Sequence, residues 1–85
     1  MYKRKGGFVM QAVTISLTQV SQVQDFVNLV SRYPFDVDMV SGRYTVDAKS
    51  MLGIYSLDLS RPLQVLIYSD DCEELKKALE AFSGK

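Results

Sequence analysis

The chain offers few residues for chemistry. It has no histidine, which removes the commonest general base and leaves carboxylates, lysines and Cys72 as the reactive groups. One cysteine without a histidine cannot form a Cys/His zinc site, and it excludes an intramolecular disulfide, which fits a cytoplasmic protein. Asp36 and Asp38 alternate with Phe35, Val37 and Met39, and Asp47 is near in sequence. Carboxylates in that pattern read as the solvated face of a hairpin rather than a metal site. Cys72 begins a helical stretch that would favour its thiolate, although a small, semi-buried residue is the simpler role. Ser50 has the position and chemistry of a helix N-cap, its hydroxyl accepting a backbone N–H. A phosphate on it would meet an open N-terminal turn and the favourable end of the helix dipole. Gln19 and Gln22 read as polar residues of a loop and first helical turn. No cofactor is implied.

These residues must be positioned by a short set of elements. Val13, Ile15 and Leu17 alternate with Thr14 and Ser16, the period of a half-buried strand between Met10 and Leu17. Val20, Val23, Phe26, Val27 and Val30 recur at three- and four-residue steps and predict a helix over roughly 20–32, ending before Pro34. Phe35 to Val40 and Tyr44 to Val46 predict a hairpin with Ser41-Gly42 as its tight turn. Ser50 then caps a helix of about two turns. Ile54 and Leu57 can fill its buried stripe, which leaves Met51, Leu52 and Tyr55 partly outward as an apolar patch. Leu63, Val65 and Ile67 give a fourth strand with one apolar face, and Tyr68 is placed at the edge. Asp70 and Glu73 have capping-box spacing for a last helix over roughly 71–83, with Leu75, Ala78, Leu79 and Phe82 on one face. The order βαββαβα suits an α+β fold, an antiparallel sheet covered on one face by helices, better than a parallel doubly wound one.

With 85 residues there is room for one domain, read as 10–85. Residues 1–9 have no period and read as a flexible arm. Lys5-Gly6-Gly7 can be encoded by a purine-rich ribosome-binding core at a plausible spacing from Met10, which makes Met10 an alternative start. Ten basic and ten acidic side chains cancel, which argues against direct nucleic-acid binding, and Lys3-Arg4-Lys5 is too short to supply a site. No apolar run approaches the roughly 18 residues of a membrane span, and the N-terminus lacks the apolar segment of a secretory signal.

The element order, and the stretch Ala48-Lys49-Ser50-Met51-Leu52-Gly53-Ile54-Tyr55-Ser56-Leu57 above all, resembles the HPr family of the bacterial sugar phosphotransferase system. That family's short second helix begins with a segment of the form Lys-Ser-Ile-Met-Gly-Val-Met-Ser-Leu, whose first serine is a regulatory phosphorylation site in many bacteria. Ser50 falls on that serine. The resemblance runs from about Met10 to the end and includes Val13-Thr14-Ile15 and Phe26-Val27.

The second family motif departs. HPr carries Gly-Leu-His-Thr-Arg-Pro-Ala at the start of its first helix, where the histidine accepts phosphate from enzyme I. Counting back from Phe26-Val27, this chain has Thr18-Gln19-Val20-Ser21-Gln22-Val23, so Gln19 stands where the histidine would be, Ser21 at the arginine and Gln22 at the proline. The resemblance is to the regulatory HPr-like group with glutamine at the histidine position and the serine retained.

What the resemblance implies is an HPr-like open-faced sandwich, four antiparallel strands covered on one face by three helices. It implies a non-enzymatic regulator of the carbon catabolite type, with Ser50 as regulatory phosphorylation site and Met51, Leu52 and Tyr55 as protein contacts. Its partners would be the HPr serine kinase, a transcriptional regulator or phosphotransferase enzymes. Two alternatives stay open: a phosphotransferase component with a non-histidine acceptor, and a structural dimerisation module, the protein being a monomer or weak dimer.

Overall fold

Apolar residues at alternate positions put one face of each strand into a common core. In the computed structural model, which describes residues 11–70 and 72–83, the elements are β1 (Gln11–Ile15), α1 (Val20–Val30), β2 (Val37–Ser41), β3 (Tyr44–Asp47), α2 (Met51–Tyr55), β4 (Leu63–Ile67) and α3 (Glu73–Leu79). A 3-10 turn, Glu80–Phe82, follows α3. The proposed arm and the alternative start at Met10 lie outside the described residues. The four strands form one antiparallel sheet in the order β1-β4-β2-β3, the α+β open-faced sandwich expected from the element order.

Register explains the core. Val13, Val65, Met39 and Val46 stand in one row across all four strands, and Ile15–Leu63 and Ile67–Val37 flank it. Onto that face the helices lower Val23, Phe26 and Val30 from α1, Ile54 from α2, and Leu75 and Leu79 from α3. Phe26 meets Phe82 edge to face at a centroid distance of 5.9 Å, a geometry favoured by the ring quadrupoles. The Ser16 N–H donates to the Phe82 carbonyl at 2.7 Å, fastening the exit of β1 to the C-terminal turn.

Several expectations are corrected. Asp38 is not on a solvated face: it is 1% exposed and accepts a hydrogen bond from the Tyr68 hydroxyl at 3.0 Å. The cause is strand order. β2 is an interior strand, so Asp38 is flanked by Leu66 of β4 on one side and Asp47 of β3 on the other. Tyr68 follows a central strand rather than an edge, its N–H donating to the Asp36 carbonyl at 3.1 Å.

Ser41 pairs with Tyr44 as the closing pair of the hairpin, so the turn is Gly42-Arg43, with Gly42 at φ +60° where a side chain would be strained. Helix α1 stops at Val30, and its last amides tighten to i→i−3 bonds, from Arg32 to Leu29 and from Tyr33 to Val30. The last helix begins at Glu73 with Cys72, 3% exposed, as its N-cap residue, in place of Asp70. Glu73 and Glu74 in its first turn and Lys76 and Lys77 in its last complement its dipole.

Candidate functional site

The start of α1 is built by Gln22. Gln19 is the N-cap residue, extended at φ −134° and ψ 152°. The side-chain carbonyl of Gln22 accepts from the Thr18 N–H at 2.8 Å, the Thr18 hydroxyl at 2.9 Å and the Gln19 N–H at 3.1 Å. Gln22 therefore satisfies donors ahead of the helix that would otherwise face solvent. The Gln19-x-x-Gln22 spacing, N-cap to N3, is the sequence signal of this arrangement.

Beside this cap lies an open recess of about 330 Å³. Leu17, Val20 and Val23 contribute from the β1–α1 side, Tyr55 from α2 and Leu59 from the following link. Leu17 and Val23 are buried, whereas Val20 is 62% and Tyr55 42% exposed. The polar lining is Thr18, Gln19 and Ser60, so no carboxylate, amine or thiol faces the recess. Such a wall suits contact with an apolar group.

Ser50 is the N-cap residue of α2, its hydroxyl accepting from the Gly53 N–H at 3.1 Å. Ile54 and Leu57 are buried. Leu52 is 84% exposed, while Met51 is half-buried and packs against the core. Of the residues singled out in the sequence, Gln19 and Tyr55 share the recess; Ser50, Met51 and Leu52 belong to the same short helix as Tyr55 but do not line it. Helix α2 sits close on the sheet: a Cβ on Gly53 would come 3.1 Å from the Val46 Cβ and 3.3 Å from the Ser50 hydroxyl oxygen.

Two anchors had no sequence signal. The Lys49 ammonium donates to the carbonyls of Tyr33 at 2.6 Å and Phe35 at 2.8 Å, tying the segment after α1 to the entry of α2. The Lys49 N–H donates to Asp47 Oδ1 at 2.9 Å. Beyond α2, Asp58 Oδ1 accepts from the Ser60 hydroxyl at 2.6 Å and the Ser60 N–H at 3.1 Å. Those two bonds, the hydroxyl first, hold the Asp58 carboxyl below its ordinary value against the opposing effect of desolvation, with the Arg61 charge a lesser contribution in the same direction.

Among the described residues no group of three or more His, Cys, Asp or Glu could hold a metal ion, and no helix is long and apolar enough to cross a membrane.

No protein-family model matches the sequence, and no curated protein matches it either. Solved structures do. HPr-C-His from Thermoanaerobacter tengcongensis superposes with a TM-score of 0.72 at 29% identity, over 85% of this chain and 89% of that one. A phosphocarrier protein HPr from Bacillus anthracis str. Ames superposes with a TM-score of 0.66, also at 29% identity, over 86% of this chain and 93% of its own. Over nearly the whole length of these HPr proteins the chain shares their open-faced sandwich, with 29% identity across the matched stretch, so in fold and in sequence it is similar to the HPr family.

Proposed function

We propose that this chain is an HPr-like regulatory module without the phosphocarrier reaction, a cytoplasmic protein that works through contacts with other proteins. The observation that carries the reading is an amide, Gln19, at the N-cap of α1 in a chain with no histidine. In this reading Gln19 occupies the phosphocarrier position. The amide nitrogen of glutamine shares its lone pair with the adjacent carbonyl and is no nucleophile, so no phosphoramidate forms there. What remains is surface: the recess beside Gln19, together with Met51, Leu52 and Tyr55 on α2. A flexible methionine and an amphipathic tyrosine suit such contact.

The switch in this proposal is Ser50. A phosphate there adds about −1.5 to −2 charges beside the apolar residues of α2, and its oxygens can take over the acceptor role that the hydroxyl plays toward Gly53. The partners of this reading are the HPr serine kinase that would place the phosphate, and a transcriptional regulator or phosphotransferase enzymes that would read it.

The test is the intact mass after incubation with ATP and that kinase, with Ser50→Ala alongside. The expected result is one added phosphate on the wild type and none on the variant. No addition to either reduces Ser50 to a helix cap. Incubation with phosphoenolpyruvate and enzyme I is expected to leave the protein unlabelled, and a stable label would make it a phosphotransferase component with another acceptor.

A further inference from the structure

A second and larger groove, about 580 Å³, opens between the β2–β3 turn and the segment after α2. Unlike the recess beside Gln19, it is polar and basic. Arg43 from the turn and Arg61 from the link both line it, as do Ser41 and Tyr44, the latter 68% exposed. Arg43 makes no hydrogen bond or ion pair among the described residues.

Asp58 is the carboxylate in the lining, and it is already engaged. Its Oδ1 is taken by both donors of Ser60, and its Oδ2 reaches Arg61 Nε at 3.7 Å, a long contact between two exposed side chains. A pair of that kind contributes little and leaves the terminal amino groups of Arg61 available to another acceptor. Gly42 completes the opening: no atom lies within 4 Å of the place its Cβ would occupy, so the turn backbone there is uncovered.

We propose that this groove binds a small phosphomonoester, its phosphoryl group held between Arg43 and Arg61 and an attached ring laid on Tyr44. Two guanidinium forks match the several oxygens and double charge of a phosphoryl group, whereas a monocarboxylate engages one fork only. An exposed tyrosine supplies a flat apolar surface at little conformational cost. The volume is that of a small-molecule site.

The experiment is an NMR titration of the full chain with phenyl phosphate and with inorganic phosphate, at constant ionic strength set by chloride. The expected result is saturable movement of the Gly42 and Arg43 amides and of the Arg61 Nε signal, with phenyl phosphate the tighter ligand. Arg43→Gln and Arg61→Gln are each expected to weaken binding about tenfold, the scale of one charge-assisted pair. Tyr44→Ser is expected to bring phenyl phosphate down to the affinity of inorganic phosphate. All three side chains are exposed, and the unliganded spectrum of each variant checks that the fold is retained. Movement that does not saturate, or that survives both arginine substitutions, means an adventitious ion only and overturns the assignment. Tighter binding of a glutamate-rich peptide at the same residues also overturns it, by making the ligand an acidic protein segment.

Discussion

Lys49→Met tests how the segment after α1 is held to the entry of α2. The lysine stem is kept while the ammonium, which donates to the Tyr33 and Phe35 carbonyls at 2.6 and 2.8 Å, is removed. A hydrogen bond from a charged donor contributes about 1.5–3 kcal/mol. Both bonds are only part-buried, so water can replace some of that, and ordering a lysine costs about 1.5–2 kcal/mol of side-chain entropy. The balance is a loss of about 2 kcal/mol. For a domain of this size that lowers the melting temperature by about 8–16 °C. Urea denaturation followed by far-UV circular dichroism is the assay: the midpoint should fall while the slope stays constant, because the surface exposed on unfolding is unchanged. The strain of losing the tether should be local, with the largest amide shifts at Tyr33 to Phe35, whose first and last rings stand 5.4 Å apart. A loss below about 0.5 kcal/mol, within the range of ordinary surface substitutions, would refute the claim that Lys49 anchors this segment.

Three further outcomes follow from the same geometry. Gln22→Glu should raise stability by about 0.5 kcal/mol in thermal melts, since its oxygen already accepts three donors, the first turn of α1 carries no acid, and a carboxylate there gains from the dipole. Gly53→Ala should destabilise by about 1 kcal/mol in urea denaturation: the methyl would press on the Val46 Cβ at 3.1 Å, and that strain outweighs the gain of about 1 kcal/mol in helix propensity. Asp58 titrates below its ordinary value, so the stability it contributes is present above the unfolded value of 3.8 and disappears as pH falls through the lower folded value. Ser60→Ala removes the leading cause, and a carboxyl-detected NMR titration should show the Asp58 midpoint move upward.

The difference between what could and could not be read from the sequence lies in range. Val13 and Ile15, Leu63 to Ile67, and the stripe Val23–Phe26–Val30 repeat at the period of their own element, and they locate β1, β4 and α1 to within a few residues of the observed bounds. Ser50 was legible for the same reason, since a cap acts three residues away. Lys49 was not, because its carbonyl partners are 14 and 16 residues distant and nothing local marks them. Asp38 misled because alternation tells which face a residue takes but not whether its strand is interior. Once β4 pairs with β2, the same face is crowded from both sides. Leu59 and Ser60 reach the recess from a link without periodicity, so their role comes from the fold alone.

The two surfaces differ in the force that would hold a ligand, and ionic strength separates them. The recess beside Gln19 presents Val20, Val23, Tyr55 and Leu59 without an ionised group, so contacts made there through apolar area should change little between low and high salt. The groove at Arg43 and Arg61 is exposed and charged, and attraction to a dianion across it is screened as the Debye length falls from about 30 Å at 0.01 M to about 8 Å at 0.15 M. Titrations repeated at those two salt concentrations should therefore leave a recess-bound partner near its original affinity while weakening the phosphomonoester several-fold. A recess partner that weakens with salt as strongly as the phosphomonoester does would mean that its binding runs through charge, and that the apolar wall beside Gln19 is not the contact.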